Sequence, residues 1–220
     1  MTVLAGAPLV VCGGCDDDLS RYYPLAPGLS WRYRVQMVQS SGTAIDTAQV
    51  TNLNPVTLLG RSLVPQRSQL FGQTVVRFLA RTETGVVQFA QQTGENPPLA
   101  RDPPDYILRV PVTIGTSWSS TWESTQAGSH TSLPTVKTIA GLRDTVMVPA
   151  GTFADCLHMK IAGRAEARLP SGPVVPIEVT GDEWYAPRIG FIRGAFREAV
   201  SQGQATSDLA MSLEIFDSRI

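Results

Sequence analysis

Two residues in the second half of the chain have side chains that can perform nucleophilic chemistry. Cys156 and His158 lie two positions apart in Phe153-ADCLHMKI, a segment with the alternation of a β-strand. A thiol beside an imidazole can form a reactive thiolate pair. However, same-face neighbours on one strand are about 7 Å apart, too far for a direct hydrogen bond. The spacing therefore predicts a half-buried structural cysteine beside an exposed histidine.

Two adjacent carboxylates are the next candidates for acid and base chemistry. Asp182 and Glu183 follow Gly181 in the segment Gly181-DEWYAPRIGFIR. Successive side chains of a strand point to opposite faces, so these two cannot act as a facing acid and base pair. Asp182 is instead predicted to be a solvated residue at the rim of a sheet.

Other catalytic patterns are missing from the sequence. It has no Gly-x-Ser-x-Gly elbow and no glycine loop that would hold a phosphate ahead of a helix. Its two histidines, His130 and His158, are far apart and lack a carboxylate cluster, so a catalytic zinc site is not expected. The sequence thus predicts no catalytic residue, no metal site, no cofactor and a non-enzymatic protein.

Composition limits the class of protein further. The chain has 220 residues, 43% hydrophobic and 17% charged, with a formal net charge of -1. These values fit one globular domain with a sizeable core. The arginines are scattered along the chain, so no basic face is expected and nucleic acid is not a predicted partner.

The N-terminal segment has the layout of an export signal ending at a lipid-bearing cysteine. The segment Met1-TVLAGAPLVVCGGC is apolar, too short to span a membrane, and lacks a basic start, which suggests a truncated signal. Gly13 and Gly14 precede Cys15, whereas branched valines precede Cys12, so lipid attachment is predicted at Cys15. Residues 1–21 are assigned as signal plus acidic tether, and residues 22–220 as one β domain.

The rest of the sequence alternates as short extended segments between turn residues, with no helical period. This pattern predicts an all-β fold, an antiparallel meander forming curved, partly closed sheets of half-barrel or sandwich type. A proline-rich stretch, Glu95-NPPLARDPPD, is predicted to be a long loop that divides the sheet into two lobes. The expected strands are 31–38, 45–53, 74–81, 86–92, 106–110, 117–123, 135–148, 154–168, 174–185, 191–200 and 206–216.

An internal echo marks two of these strands. Both copies have the pattern Pro-x-x-x-Gly-x-x-Trp, in which a glycine turn precedes a tryptophan that enters the core. The matched residues are Pro24, Gly28 and Trp31 in one copy and Pro111, Gly115 and Trp118 in the other. We interpret the echo as a repeated structural turn, with a bound ligand at both sites as the alternative.

Two further turn motifs complete a set that resembles a group of bacterial envelope lipoproteins. The motifs are Val-Pro-Ala-Gly-Thr-Phe, with Pro149 and Gly151, and Trp-Tyr-Ala-Pro-x-x-Gly, with Trp184, Tyr185 and Gly190. In order and spacing, these and the Tyr-Pro-Leu-x-x-Gly-x-x-Trp-x-Tyr segment from Tyr23 are similar to that group. The resemblance implies an antiparallel β fold and supplies no catalytic residues.

These observations leave three hypotheses for function. The first is a membrane-tethered, non-enzymatic lipoprotein of the cell envelope, with its domain outside the cytoplasm, acting through its surface on an envelope protein partner. The second is a carrier that holds a lipid or other amphiphile in a β cavity. The third is an unrecognised hydrolase. The size and lining of the largest internal cavity would separate the first two.

Overall fold

The computed structural model describes residues 15–124, 131–168, 172, 174–202 and 205–219. The predicted export signal, with Cys12, and His130 lie outside these residues. The described elements are one helix, α1 (Cys15–Tyr22), and the strands β1 (Ser30–Gln39), β2 (Gly42–Asn52), β3 (Val56–Leu58), β4 (Arg61–Leu70), β5 (Gln73–Thr82), β6 (Gly85–Thr93), β7 (Leu99–Arg109), β8 (Ser117–Ser124), β9 (Thr131–Val148), β10 (Gly151–Arg168), β11 (Val174–Ala186), β12 (Gly190–Gln202) and β13 (Ala205–Arg219).

The strands form one antiparallel sheet that curves into a nearly closed barrel. Its order is β7-β6-β5-β4-β2-β1-β13-β12-β11-β10-β9-β8, with β3 paired to β4 at the side. The first and last strands pair, and Val35 lies opposite Leu213. Apart from this pair, most strands that are neighbours in the sheet are also neighbours along the chain, so the sheet is a meander. The prediction of an all-β antiparallel fold is confirmed.

The barrel is not closed by backbone hydrogen bonds between β7 and β8, which are the two ends of the sheet order. Side chains bridge this seam instead. The indole Nε1 of Trp118 donates to the carbonyl oxygen of Tyr106 at 3.0 Å, and Arg101 lies 3.8 Å from a carboxylate oxygen of Glu123. The two edges are thus held together by side-chain packing and hydrogen bonding.

The packed part of the chain begins before Tyr22. Helix α1 places Leu19 and Tyr22 in the core, where they are 1% and 4% exposed. The Arg188 amide also donates to the carbonyl of Arg21, which ties the helix to the turn between β11 and β12. Residues 16–18 belong to helix α1, where the sequence predicts an acidic tether. In the described part of the chain, no helix has the length and apolar composition needed to cross a bilayer.

The proline-rich stretch is not the long loop that the sequence predicts. Strand β7 begins at Leu99, and the sheet continues through it without dividing into lobes. Proline disrupts a sheet by removing an amide donor, but an edge strand has one side on which that donor is not needed. Pairing is irregular there, since Ala90 lies opposite Ala100 whereas Gln88 lies opposite Asp105. The prolines are therefore accommodated at an edge with a bulge.

Strand β4 is absent from the sequence-based expectation, and Pro65 explains part of the omission. The proline lies where β4 changes partner, between the segment that pairs with β3 and the segment that pairs with β2. The inward positions Gln66 and Ser68 are polar, so the apolar alternation that identifies a strand is lost. These polar positions face the interior of the barrel.

Candidate functional site

The echoed motif is a repeated hairpin entry. Gly28 and Gly115 have positive φ angles of 85° and 91°, which only glycine adopts readily. The Gly28 amide donates to the carbonyl of Asn52, and the Asn52 amide donates back to Leu29. Gly115 and Thr116 form the same pair of hydrogen bonds with Ile139. The two copies therefore share one backbone geometry, as the structural interpretation predicts.

The two tryptophans of the echo are buried as expected. Trp31 and Trp118 are each 4% exposed. Each indole donates to a backbone carbonyl, Trp31 to Ile189 at 2.7 Å and Trp118 to Tyr106 at 3.0 Å. A buried indole needs such an acceptor, so both residues fix the chain as well as fill the core. Pro24 and Trp31 also line the interior cavity described below.

The other two turn motifs are hairpins. Pro149 lies in the turn between β9 and β10, and Gly151 has a φ angle of 139°. Gly190, with a φ angle of 93°, opens β12 after the turn that ends β11. Trp184 and Tyr185 point to opposite faces, with Tyr185 buried inside the barrel and Trp184 on the outside beside His158. Tyr185 and Gly190 line the interior cavity described below.

One cavity lies inside the barrel and is partly open to solvent. Its volume is about 260 Å³. Tyr23 and Pro24, which follow α1, form part of its wall. Gly190 packs closely on Pro24, since a Cβ added at Gly190 would lie 3.2 Å from Cδ of the proline ring. Most of the lining is apolar, contributed by Trp31, Tyr33, Ala48, Val50, Leu70, Ile107, Phe191, Phe196, Met211 and Leu213.

Phe196 reaches into the cavity because its neighbours are glycines. A Cβ added at Gly181 or Gly194 would lie 2.6 Å from the Phe196 ring. Real Cβ atoms do not approach that closely, so these glycines leave space for the ring. Phe196 also packs on Trp122 with ring centroids 5.3 Å apart. The apolar wall on this side of the barrel therefore depends on two positions without side chains.

A connected polar group forms the opposite part of the lining. The Tyr23 hydroxyl donates to Gln66 Oε1 at 3.0 Å, and Arg77 donates to the same oxygen at 2.8 Å. Gln66 Nε2 donates to Asn52, whose own amide donates to the carbonyls of Pro24 and Ala26. Burial raises the pKa of Tyr23, while the nearby Arg77 opposes the rise. Tyr23 is thus a neutral donor held in place.

A carboxylate faces this group from the other side of the cavity. Glu183 points inward and accepts a hydrogen bond from the Tyr185 hydroxyl at 2.7 Å. Burial, with the negative charge of Glu183, raises the pKa of Tyr185 well above its ordinary value. As the alternation predicts, Asp182 lies on the outer face. The interior therefore contains only one of the two adjacent carboxylates.

Lys137 is the remaining charged residue of the lining. It is half-buried on β9 between the buried residues Thr135 and Ile139. Within the described residues it forms no hydrogen bond or ion pair. By contrast, the buried carboxylate of Glu198 accepts hydrogen bonds from Trp122, at 3.1 Å, and from Ser124.

A second polar cluster lies on the outer face, around His158. Its Nε2 is 2.6 Å from Asp182 Oδ1, and its Nδ1 is 3.4 Å from Asp144 Oδ2. The imidazole stacks on Trp184 with ring centroids 4.7 Å apart. The expectation of an exposed histidine is wrong, since the side chain is 17% exposed. Two carboxylates and an aromatic ring cover it. Asp182 is 39% exposed but pairs with this histidine.

Cys156 does not join His158 in a reactive pair. The thiol is fully buried and donates to the carbonyl oxygen of Phe153 at 3.4 Å. The prediction of a half-buried cysteine is corrected to a buried one, because register shifts on both sides of it turn the residue into an apolar cluster. Burial raises the pKa of Cys156 to about 11. A thiol in this state is a poor nucleophile at neutral pH.

The described residues contain no group of three or more histidine, cysteine or carboxylate side chains able to hold a metal ion. Sequence reasoning missed the inward polar residues Gln66, Arg77, Lys137 and Glu183. The sequence did carry a signal for them: each is a polar residue at a position where the alternation of its strand predicts an inward, apolar one. Lys137 gave that signal most clearly, because Leu133, Thr135 and Ile139 share its face.

Comparison with known proteins gives similarity to solved structures alone. No family model matches the chain, and no curated protein matches it in sequence. A structure described as a "putative lipoprotein" from Parabacteroides distasonis ATCC 8503 has a TM-score of 0.40 at 13% identity, covering 90% of this chain and 98% of its own. A "putative exported protein with YmcC-like fold" from Bacteroides fragilis NCTC 9343 has a TM-score of 0.40 at 12% identity, covering 91% and 99%. A similarity of this size assigns the chain to no family.

Proposed function

We propose that this protein is a lipid-anchored carrier of the cell envelope that holds a small amphiphile inside its barrel. The observation that supports the carrier function is the interior cavity of about 260 Å³. Its lining is largely apolar with a few polar groups, which is the usual character of a small-molecule site. Surface action on an envelope protein, the first of the three hypotheses, requires no such cavity.

The size of the cavity limits the ligand. Small-molecule sites usually measure roughly 300 to 1,000 Å³, so this cavity of about 260 Å³ is slightly below the usual range. A single short chain or one ring fits that space better than a lipid with several acyl chains. The aromatic residues Tyr33, Phe191 and Phe196 give the cavity rigid walls. The ligand is therefore a compact amphiphile with one apolar part.

Helix α1 makes the proposed anchor a short one. Cys15 is the proposed site of lipid attachment, and it begins α1. Leu19, a core residue, follows four positions later, about 6 Å along the helix axis. A lipid on Cys15 would hold the barrel close to the outer surface of its membrane and outside the cytoplasm. The membrane is then a partner through the anchor, beside any envelope protein that the surface binds.

A hydrolase has less support. Both ring nitrogens of His158 face carboxylates, Asp182 and Asp144, whereas a general base needs one nitrogen directed at a nucleophile; no hydroxyl or thiol pairs with it in the described part of the chain. The buried thiol of Cys156 donates to backbone carbonyls instead. The cluster holds the outer faces of β9, β10 and β11 together.

The carrier function can be tested with 1-decanol as a neutral probe. Titration calorimetry should give saturable binding to the full chain. Ala48, buried on the cavity wall, is changed to leucine, and exposed Ala44 on the same strand receives the same change as a control. Ala48→Leu should weaken binding by about tenfold or more, since added methylenes occupy the ligand's space, whereas Ala44→Leu should not.

Circular dichroism would check that each variant is folded. If Ala48→Leu does not fold, Leu213→Phe narrows the same cavity from a half-buried position. Absence of saturable binding of every ten-carbon probe, neutral or charged, to the unaltered protein would refute the carrier function, as would equal binding by a folded cavity variant.

The anchor is tested separately. Mass spectrometry of the membrane fraction should show an acylated Cys15 at the mature N-terminus. Cys15→Ala should release the protein from the membrane, because the acyl chains supply the binding energy. An unmodified N-terminus, or unchanged membrane retention in the variant, would overturn the lipoprotein assignment and leave the carrier function to its own test.

A further inference from the structure

Positive side chains outnumber negative ones on the cavity lining, and the charged side chains differ in how many hydrogen bonds they form. Arg77 and Lys137 are positive and Glu183 is negative, which leaves a balance of 2 − 1 = +1. Glu183 accepts the Tyr185 hydroxyl, and Arg77 donates to the neutral side chain of Gln66. Neither cation forms an ion pair with a carboxylate among the described residues.

Lys137 has the least compensation of the three. Lys137 is half-buried on a largely apolar wall, where an ammonium group loses part of its hydration, and a nearby negative charge normally offsets such a loss. The strand alternation directs Lys137 inward with buried Leu133, Thr135 and Ile139. The other lysine of the chain, Lys160, lies on an exposed outer position of β10. The inward lysine is thus a feature of the cavity.

We propose that the cavity selects an anionic amphiphile, a compact molecule with one apolar chain or ring and one acidic group, and that Lys137 forms an ion pair with that acidic group. Arg77 is the second positive charge on the lining, but it acts on Tyr23 and Tyr185 together with Glu183, whose negative charge offsets it. The apolar part lies against the wall formed around Phe196, Met211 and Leu213. This inference rests on the proposed carrier function, because it assumes that the cavity binds a ligand.

Glu183 strengthens the selectivity. Its carboxylate occupies one side of the cavity with the Tyr185 hydroxyl as a donor. The carboxylate of Glu183 would repel an acidic group of the ligand. That acidic group should therefore lie toward Lys137 and away from Glu183. A ligand with two separated acidic groups should therefore bind less well than one with a single acidic group.

The test uses the full chain and three ten-carbon probes that differ in their headgroup. Decanoate is anionic, 1-decanol is neutral and decylammonium is cationic at neutral pH. Calorimetry should show decanoate binding about tenfold or more tightly than decanol, since a hydrogen bond to a charged group is the stronger kind. Decyl phosphate would show whether a phosphate serves as well as a carboxylate.

Lys137→Met keeps an unbranched, apolar side-chain stem of similar length and removes the positive charge. It should abolish the preference for decanoate over decanol while leaving decanol binding within about twofold. Lys160→Met, on the outer face, should change neither affinity. Calorimetric measurement at raised salt would check that the preference survives screening, as expected for a partly enclosed pair.

The outcomes separate the two proposals. Failure of all probes to bind would refute the carrier function itself. Binding of decanol and decanoate with equal affinity, or an unchanged decanoate preference in Lys137→Met, would overturn the anionic selectivity and leave the carrier function standing. Tighter binding of decylammonium would assign recognition to Glu183 and also overturn this inference.

Discussion

Replacing Trp118 by phenylalanine tests how the barrel is closed. Trp118 is 4% exposed, and its Nε1 crosses the seam to the carbonyl of Tyr106 at 3.0 Å. Phenylalanine keeps an aromatic ring but leaves that carbonyl without its donor. An unsatisfied acceptor costs about 1–3 kcal/mol, and the smaller ring adds to this, whereas full removal of a large aromatic costs about 3–5 kcal/mol. We expect Trp118→Phe to lower the free energy of unfolding by about 2–4 kcal/mol.

The matched variant is Trp31→Phe, because Trp31 has the same exposure and also donates its indole to a carbonyl, that of Ile189. Urea unfolding should show similar losses of stability for both. Hydrogen exchange should then separate them. Trp118→Phe should accelerate exchange in β7 and β8, the unpaired edges, and Trp31→Phe should not. Unchanged stability and unchanged exchange at the seam in Trp118→Phe would refute the side-chain closure of the barrel.

Four further results are expected, two from the thiol of Cys156 and two from single substitutions. In a chain with Cys12 and Cys15 changed to serine, Cys156 should react slowly with a thiol reagent at pH 8 and fast in urea, because burial raises its pKa to about 11; rapid labelling of the folded protein would contradict this. The raised pKa also predicts how stability depends on pH, because the unfolded chain loses the thiol proton at a lower pH than the folded one. The free energy of unfolding, measured by urea denaturation at several pH values, should be constant below about pH 8.5 and fall as pH rises toward 11. Gly194→Ala should destabilise the fold by about 1–3 kcal/mol, because the new methyl group would lie 2.6 Å from the Phe196 ring; a neutral effect in thermal unfolding would argue against that packing. Asn52→Ala should cost about 2–3 kcal/mol through loss of its bonds to Pro24, Ala26 and Gln66, whereas the exposed Asn54→Ala should cost little.

Most of the sheet could be predicted from the sequence because its strands alternate. Leu209, Met211, Leu213 and Ile215 share one face, and β13 follows that pattern. The echo around Trp31 and Trp118 could also be predicted, because a turn that needs a positive φ selects glycine and a large buried position selects tryptophan. Both signals are local along the chain, so they need no knowledge of tertiary contacts.

The elements that sequence missed depend on tertiary contacts. Helix α1 is only eight residues long, and its helical state depends on the burial of Leu19 and Tyr22 inside the barrel. Strand β4 was hidden by Gln66 and Ser68, which are polar because they face a cavity. The candidate site was missed for the same reason. Its members, from β4, β5, β9 and β11, become neighbours only when the sheet closes.

The central claim is that a small amphiphile occupies the barrel, and methionine methyl groups report this directly. Met211 lines the cavity, while Met147 is 75% exposed on the outside. In protein with ¹³C-labelled methionine methyl groups, titration with decanoate should shift the Met211 resonance in a saturable manner and leave Met147 unchanged. A saturable shift at Met147 alone, or no shift at Met211 at saturating decanoate, would contradict the account.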